Sequence, residues 1–224
     1  MDAAKEEILR RIHAANQAAG KPESPYPVPR NYRRDTSLDT QTESGGLIEQ
    51  FTDRLEDYGV TVHTATSATL KETLNEVLSA IEQNSTSRII YAPGLDADLF
   101  GPQAAPDDPT GDPRELDAAA AVVTGSTVSC AQTGTICLES GPVCGRRALS
   151  LVPDVHVCLV EESTIVGTVP QMIDRLNPVT HPEATGSPVT MISGPSATSD
   201  IELERVNGVH GPRTLHVIIV GDTE

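Results

Sequence analysis

Residues 193–220 read SGPSATSDIELERVNGVHGPRTLHVIIV, and the fold follows from how this stretch divides. Its last seven residues, Thr214-Leu215-His216-Val217-Ile218-Ile219-Val220, are an almost unbroken apolar run. A strand buried on both faces reads this way, which points to a parallel sheet covered on each side by helices. Upstream, Val189-Thr190-Met191-Ile192 is a short strand-like run stopped by the turn Ser193-Gly194-Pro195. Ser199-Asp200-Ile201-Glu202 has the spacing of a capping box, a hydroxyl with a carboxylate three residues on, so a helix is expected from about Asp200. Ser196, Thr198 and Ser199 offer hydroxyls just before it, and the free N–H groups of a helix start favour anions. Strand, anion-ready loop, helix, turn and buried strand are thus expected to form one βαβ-like unit that holds the functional site. Ligands of open α/β sheets gather outside the carboxyl ends of strands, and the Ser193 loop, which follows a strand, is expected there.

Working outward, Leu47, Ile48, Phe51, Leu55 and Tyr58 recur at helical spacing, with Gly59 as the stop. Val60-Thr61-Val62-His63 alternates as a strand. Thr69-Leu70-Lys71-Glu72 is another capping box, opening a helix whose core face is Leu70, Leu74, Val77, Leu78 and Ile81. Arg88-Ile89-Ile90-Tyr91-Ala92 is the next strand. Residues 101–113 read as a loop in which Asp107, Asp108 and Asp112 lack EF-hand spacing, so a solvated acidic loop is expected. Residues 127–130 and 136–138 form two short strands joined through Thr133-Gly134-Thr135, where glycine lets the backbone approach a ligand or a neighbouring strand. That turn is expected to close the same pocket. Residues 155–160 read as a strand and 169–176 as a helix. The fold class is therefore α/β, a mainly parallel sheet with helices on both faces, occupying residues 45–224. Residues 1–44 read as an arm: a helix over 2–19 with Ile8, Leu9, Ile12 and Ala15 on one face, then a linker marked by Pro22, Pro25, Pro27 and Pro29.

The net charge of -16, from 16 Lys and Arg against 32 Asp and Glu, opposes binding to a nucleic-acid backbone or an anionic membrane, and neither partner is expected. No run approaches the ~20 apolar residues that cross a bilayer, and the charged N-terminus lacks a secretory signal, so a cytoplasmic location is expected. Cys130, Cys137, Cys144 and Cys158 form no C-x-x-C pair and no zinc-finger spacing, so no metal site or cofactor is expected. Cys144, beside glycines, is the one expected to be exposed. The sequence contains no nucleophile elbow, P-loop, G-x-G-x-x-G or H-E-x-x-H.

Candidate chemistry therefore comes from the C-terminal unit. Asp200 and Glu202 either complement a helix dipole or act as general acid and base. His210, between Gly208 and Gly211 in a turn that can approach a ligand, is the third catalytic candidate. Arg213 opens the buried strand with a planar fork suited to a carboxylate or phosphate, or pairs with Asp200 or Glu204. His216 reads as a hydrogen-bonded core histidine. The expected ligand-binding set is Thr133, Gly134, Thr135, Ser193, Gly194, Ser196, Thr198 and Arg213, with a small anionic metabolite as partner.

The 193–220 stretch, together with Ala131-Gln132-Thr133-Gly134-Thr135-Ile136 and residues 145–156 (GRRALSLVPDVH), resembles the lactate-utilisation protein C family, which is built on the LUD domain. The likeness covers about residues 45–220. It implies a fold similar to the sugar-isomerase and CoA-transferase superfamily, and a role in oxidising L-lactate to pyruvate beside two iron–sulfur proteins. The family pattern carries an acidic residue at the position of Gln132, where an amide cannot serve as general acid or base. Turnover of a small hydroxy-acid, sugar or acyl substrate, ligand sensing, and assembly of iron–sulfur partners all remain open at this level. Purified without oxygen, the chain is expected to show no visible absorption band and no stoichiometric iron; a bound cluster or flavin would overturn that expectation.

Overall fold

The structure is a computed structural model that describes residues 2–20, 46–82, 88–179, 181–199, 205–207 and 211–221. Helix α1 (Asp2–Ala18) matches the 2–19 pattern and belongs to a compact unit separate from the rest of the chain. Along it Glu7 pairs with Arg10 and Arg11, each at 2.7 Å.

The main unit opens with α2 (Leu47–Asp57), where Phe51 and Leu55, four residues apart, are fully buried. The helix closes in a Schellman motif. Gly59, at φ 81°, donates to Glu56 O at 2.8 Å, and Val60 donates to Leu55 O at 3.1 Å, satisfying two end carbonyls. β1 (Thr61–Thr66) follows, then α3 (Leu70–Glu82), whose Leu74, Val77 and Leu78 are buried as the capping-box reading predicts. The chain continues through β2 (Ile89–Tyr91), β3 (Ala104–Pro106), β4 (Ala121–Thr124), β5 (Val128–Cys130) and β6 (Thr135–Glu139). Next come β7 (Val155–Glu161), β8 (Ile165–Val166), α4 (Val169–Arg175) and β9 (Val189–Ile192). A hairpin of β10 (Ala197–Ser199) and β11 (Arg205–Asn207) precedes β12 (Thr214–Gly221).

Six strands pair in the order β1-β12-β7-β4-β2-β3, each neighbour parallel to the next. β12 is in register with β7 from Thr214 opposite Val155 to Val220 opposite Glu161. Its alternate residues serve opposite faces. Leu215, Val217 and Ile219 pack with Phe51 and Leu55 of α2, while Ile218 and Val220 pack with Leu74, Val77 and Leu78 of α3. Each fully buried aliphatic side chain contributes roughly 1.5–3 kcal/mol, so the strand gains on both sides. A second sheet, ordered β8-β5-β6-β9, pairs β5 with β6 and β6 with β9 antiparallel, and β5 with β8 parallel. It joins the α2 side of the molecule, where Ile136 and Leu138 of β6 share that core.

Several expectations change. Ser199 pairs with Arg205 in the β10–β11 ladder, so it is a strand residue and not a helix cap. Capping spacing is a local signal, and here cross-strand pairing overrides it; β-branched Thr198 and Val206 sit opposite one another in register. Residues 200–204 lie outside the described residues. β9 belongs to the second sheet, so the C-terminal unit is not βαβ. The 101–113 loop contains β3, a three-residue strand at the sheet edge, where a terminal proline does little harm to the ladder. Cys144 is only 5% exposed: Gly141 and Gly145 pair across it and turn it into the core, 3.5 Å from Thr127 Oγ1.

His156 of β7 is also fully buried, with Nε2 2.8 Å from Thr124 Oγ1. Burial lowers its pKa from 6.5 to about 4. The unfolded chain therefore takes up this proton at a higher pH than the folded one, so stability is full above about pH 6.5 and declines as pH falls toward about 4. An NMR titration is expected to find the His156 ring neutral down to about pH 5; a midpoint near 6.5 would contradict its burial.

Candidate functional site

The antiparallel register of β6 and β9 sets Ile136 opposite Ile192, which brings the next residues outward, Thr135 and Ser193, face to face. Their hydroxyls continue a line: Thr133 Oγ1 lies 2.7 Å from Thr135 Oγ1, and Thr135 Oγ1 lies 2.8 Å from Ser193 Oγ. The turn between β5 and β6 thus meets the loop after β9. Each hydroxyl can donate once and accept twice, so the line retains donor and acceptor capacity beyond its own two contacts.

Two glycines in this cluster take left-handed backbone, Gly134 at φ 59° and Gly194 at φ 96°. A Cβ on Gly134 would stand 2.9 Å from Arg54 Cβ, and one on Gly194 would stand 2.6 Å from Tyr58 Cβ. The end of α2 therefore lies against both loops, and Gly134 accommodates a helix. Arg54 and Tyr58 are the neighbours that sequence reasoning missed; the sole hint was a glycine in each turn. Arg54 is exposed and held by Asp57 at 3.4 Å and Asp53 at 3.6 Å.

Further along the loop, the Ser196 N–H donates to Pro212 O at 2.8 Å, and a Cβ on Gly211 would stand 3.4 Å from Ser196 Cβ. These contacts tie the loop to the entrance of β12. There Arg213, 60% exposed, pairs through Nη1 with Asp154 Oδ2 at 3.4 Å. Asp154 immediately precedes β7 and is not the partner the sequence suggested. Thr198 lies in β10, while Asp200, Glu202, Glu204 and His210 fall outside the described residues. His216 is half-buried, with Nδ1 3.4 Å from His63 Nε2.

Arg213 and Asp154 stand at the amino ends of β12 and β7, so this entrance lies opposite the carboxyl-end crevice expected from the general rule. The rule fails for the Ser193 loop because β9, the strand before it, is not part of the parallel sheet. At the carboxyl ends of β2 and β4 the chain covers itself. The Gly94 N–H donates to Pro142 O at 2.8 Å and the Gly125 N–H donates to Val143 O at 2.9 Å. A Cβ on Gly94 or Gly125 would come within 2.7 or 2.5 Å of those residues, so the strap of residues 141–145 sits directly on the strand ends.

The acidic loop is not simply solvated. Asp107 is 2% exposed at its side chain and takes a two-pronged ion pair from Arg146, at 2.8 and 3.0 Å, whose Nη1 donates to Gly111 O at 2.7 Å. Hydrogen bonds from Thr110 and Arg114 lower the Asp108 and Asp112 pKa values respectively. A cleft of about 390 Å³ borders this pair, lined also by Arg88, Ile90, Glu115 and Leu116, away from the hydroxyl line. Among the described residues no group of three or more His, Cys, Asp or Glu could hold a metal.

Residues 48–220 match the LUD domain family model. The chain belongs to the LUD domain family. Among LUD relatives, a "Lactate utilization protein C" of Deinococcus radiodurans is 40% identical over 222 residues, covering 97% of this chain and 96% of the relative. A protein of the same name from Shouchella clausii is 28% identical over 94% of this chain and 95% of its own. A crystal structure of a DUF162 family protein from Deinococcus radiodurans superposes with a TM-score of 0.64 at 36% identity, covering 78% of this chain and 96% of that one. The LUD chain described here is accordingly α/β, with a parallel six-stranded sheet.

Gly134→Ala and Gly194→Ala are each expected to cost on the order of 1–3 kcal/mol, since the new Cβ meets both a strained φ and the end of α2. Urea unfolding measures this; unchanged midpoints would mean that α2 does not press on these loops.

Proposed function

We propose that this chain is a component of a lactate-utilisation system that oxidises L-lactate to pyruvate in the cytoplasm, and that it binds a small anionic metabolite along the hydroxyl line and at Arg213. The single observation that carries the role is the 40% identity, over nearly the whole length of both chains, to a protein named for lactate utilisation. Lactate and pyruvate differ by two electrons and two protons, so the oxidation needs an electron acceptor. In this reading iron–sulfur partner proteins supply it, and the present chain holds or presents the metabolite.

The geometry supports the ligand class. Lactate carries a carboxylate and an adjacent hydroxyl, and pyruvate a carboxylate and a ketone. The Thr133, Thr135 and Ser193 hydroxyls can donate to or accept from any of these groups. Arg213 is available as a charged partner. Its pairing with Asp154 is long and exposed on both sides, and such pairs contribute roughly 0–1 kcal/mol, so an incoming carboxylate can displace Asp154. A charge-assisted contact of about 1.5–3 kcal/mol exceeds that cost.

Calorimetric titration of lactate, pyruvate, phosphate and acyl-CoA compounds tests the reading. Arg213→Ala is expected to weaken the bound anion roughly tenfold or more, with Arg213→Lys recovering only part, because a point charge lacks the planar fork. Thr135→Val is expected to weaken it as well by breaking the hydroxyl line. Thermal unfolding must first show the variants folded. Equal affinity in wild type and all variants would remove this site from the proposal.

A further inference from the structure

His63 of β1 and His216 of β12 sit on adjacent parallel strands of the main sheet, two residues apart in register, with Thr61 opposite His216. The interstrand spacing brings His63 Nε2 to 3.4 Å from His216 Nδ1. Ring centroids 5.7 Å apart with an interplanar angle of 23° mean that the rings meet edge to edge, their nitrogens between them. Both side chains are half-buried, so neither ring is sealed from water.

We propose that this pair is a binding site for a borderline first-row divalent cation, of the Zn²⁺, Co²⁺ or Ni²⁺ class, with His63 Nε2 and His216 Nδ1 as its two protein ligands and water completing the coordination. The distance is the first argument. Zn–N bonds of ~2.0–2.1 Å at the tetrahedral angle place two ligand nitrogens about 3.4 Å apart, which is the separation already present. Without an ion, a single ring proton between two nitrogens holds the pair together; the cation takes that proton's place after a modest pivot of each ring. Ligand type is the second argument, since imidazole suits these ions and a neutral ring is the form that binds. Burial lowers the pKa of both histidines, the direction that favours the neutral ring. Charge is the third. The Glu76 carboxylate, on the α3 helix that covers this face, acts on His63 and favours a nearby cation. Glu76 is not close enough to be a ligand, because no third His, Cys, Asp or Glu joins the pair among the described residues. The ion would bridge the edge strand β1 to its inner neighbour, fastening one border of the parallel sheet.

The probes are Zn²⁺ and Co²⁺ alone, added to metal-free full-length protein. Zn²⁺ is expected to raise the thermal midpoint with saturation near one ion per chain, because a ligand bound only by the folded state stabilises it. Losing only the hydrogen-bond partner of a metal ligand already weakens metal binding about 10–100-fold, so His63→Gln and His216→Gln are each expected to weaken it at least tenfold. His181→Gln is the control, since His181 lies between Asp174 and Glu183 elsewhere on the surface and should leave the effect intact. Wild-type protein gives a second reading that needs no variant: Co²⁺ should broaden the ring resonances of His63 and His216 at substoichiometric addition and spare those of buried His156. The proposal falls if the midpoint does not move with Zn²⁺, if the shift survives both substitutions, or if Co²⁺ broadens other histidines first.

Discussion

The parallel ladder between β12 and β7 is what the rest of the main unit depends on. A parallel strand cannot turn one face to water as an antiparallel strand can, because its crossovers place structure on both sides. Each additional strand in this sheet therefore demands cover on two faces. α3 supplies one cover, while α2 and the second sheet share the other. The alternation of Leu215, Val217 and Ile219 against Ile218 and Val220 divides β12 between those two cores. A one-residue slip would exchange the two sets, so the register of this strand specifies how both layers dock.

Position in the sheet also decides where chemistry can occur. The crevice above β2 and β4 is the usual ligand position in such folds, yet the strap at 141–145 occupies it through backbone hydrogen bonds to Gly94 and Gly125. Polar groups gather instead where the second sheet meets the end of α2, and at the amino ends of β12 and β7. Thr135 opens β6 and Ser193 directly follows β9, so their spacing is inherited from the β6–β9 register.

Elements with strong periodicity were legible from the sequence. α2 buries Phe51 and Leu55 of its marked stripe, while Leu47 and Tyr58 at its ends stay exposed. α3 buries Leu74, Val77 and Leu78, β12 buries Leu215 and Val217 to Val220, and the β5–β6 turn at Gly134 has the left-handed backbone that glycine permits. What stayed hidden was long-range pairing. Nothing local in Val189-Thr190-Met191-Ile192 says which sheet it joins, and the two alanines of β3 carry no alternation at all. The Ser199 to Glu202 spacing pointed to a cap, but the β10–β11 ladder claims Ser199 for a strand. The closeness of Thr135 to Ser193 was anticipated from two turns, whereas Asp154 as the partner of Arg213 and Tyr58 as the neighbour of Gly194 depend on tertiary docking. Asp107 looked like one more acid in a polar loop; only its burial beside Arg146 shows it to be structural.

All four cysteines are at most 5% exposed, including the one folded under the strap. Burial raises the pKa of Cys137 to about 12 and moves Cys144 and Cys158 upward as well. Alkylating reagents attack the thiolate and need access to it, and the folded chain gives them access to none of the four. The native protein is therefore a silent background for thiol chemistry. A fluorophore or spin label can be attached at an introduced surface cysteine with the natural ones left in place. Slow modification of those natural thiols would in turn clock how often the core opens.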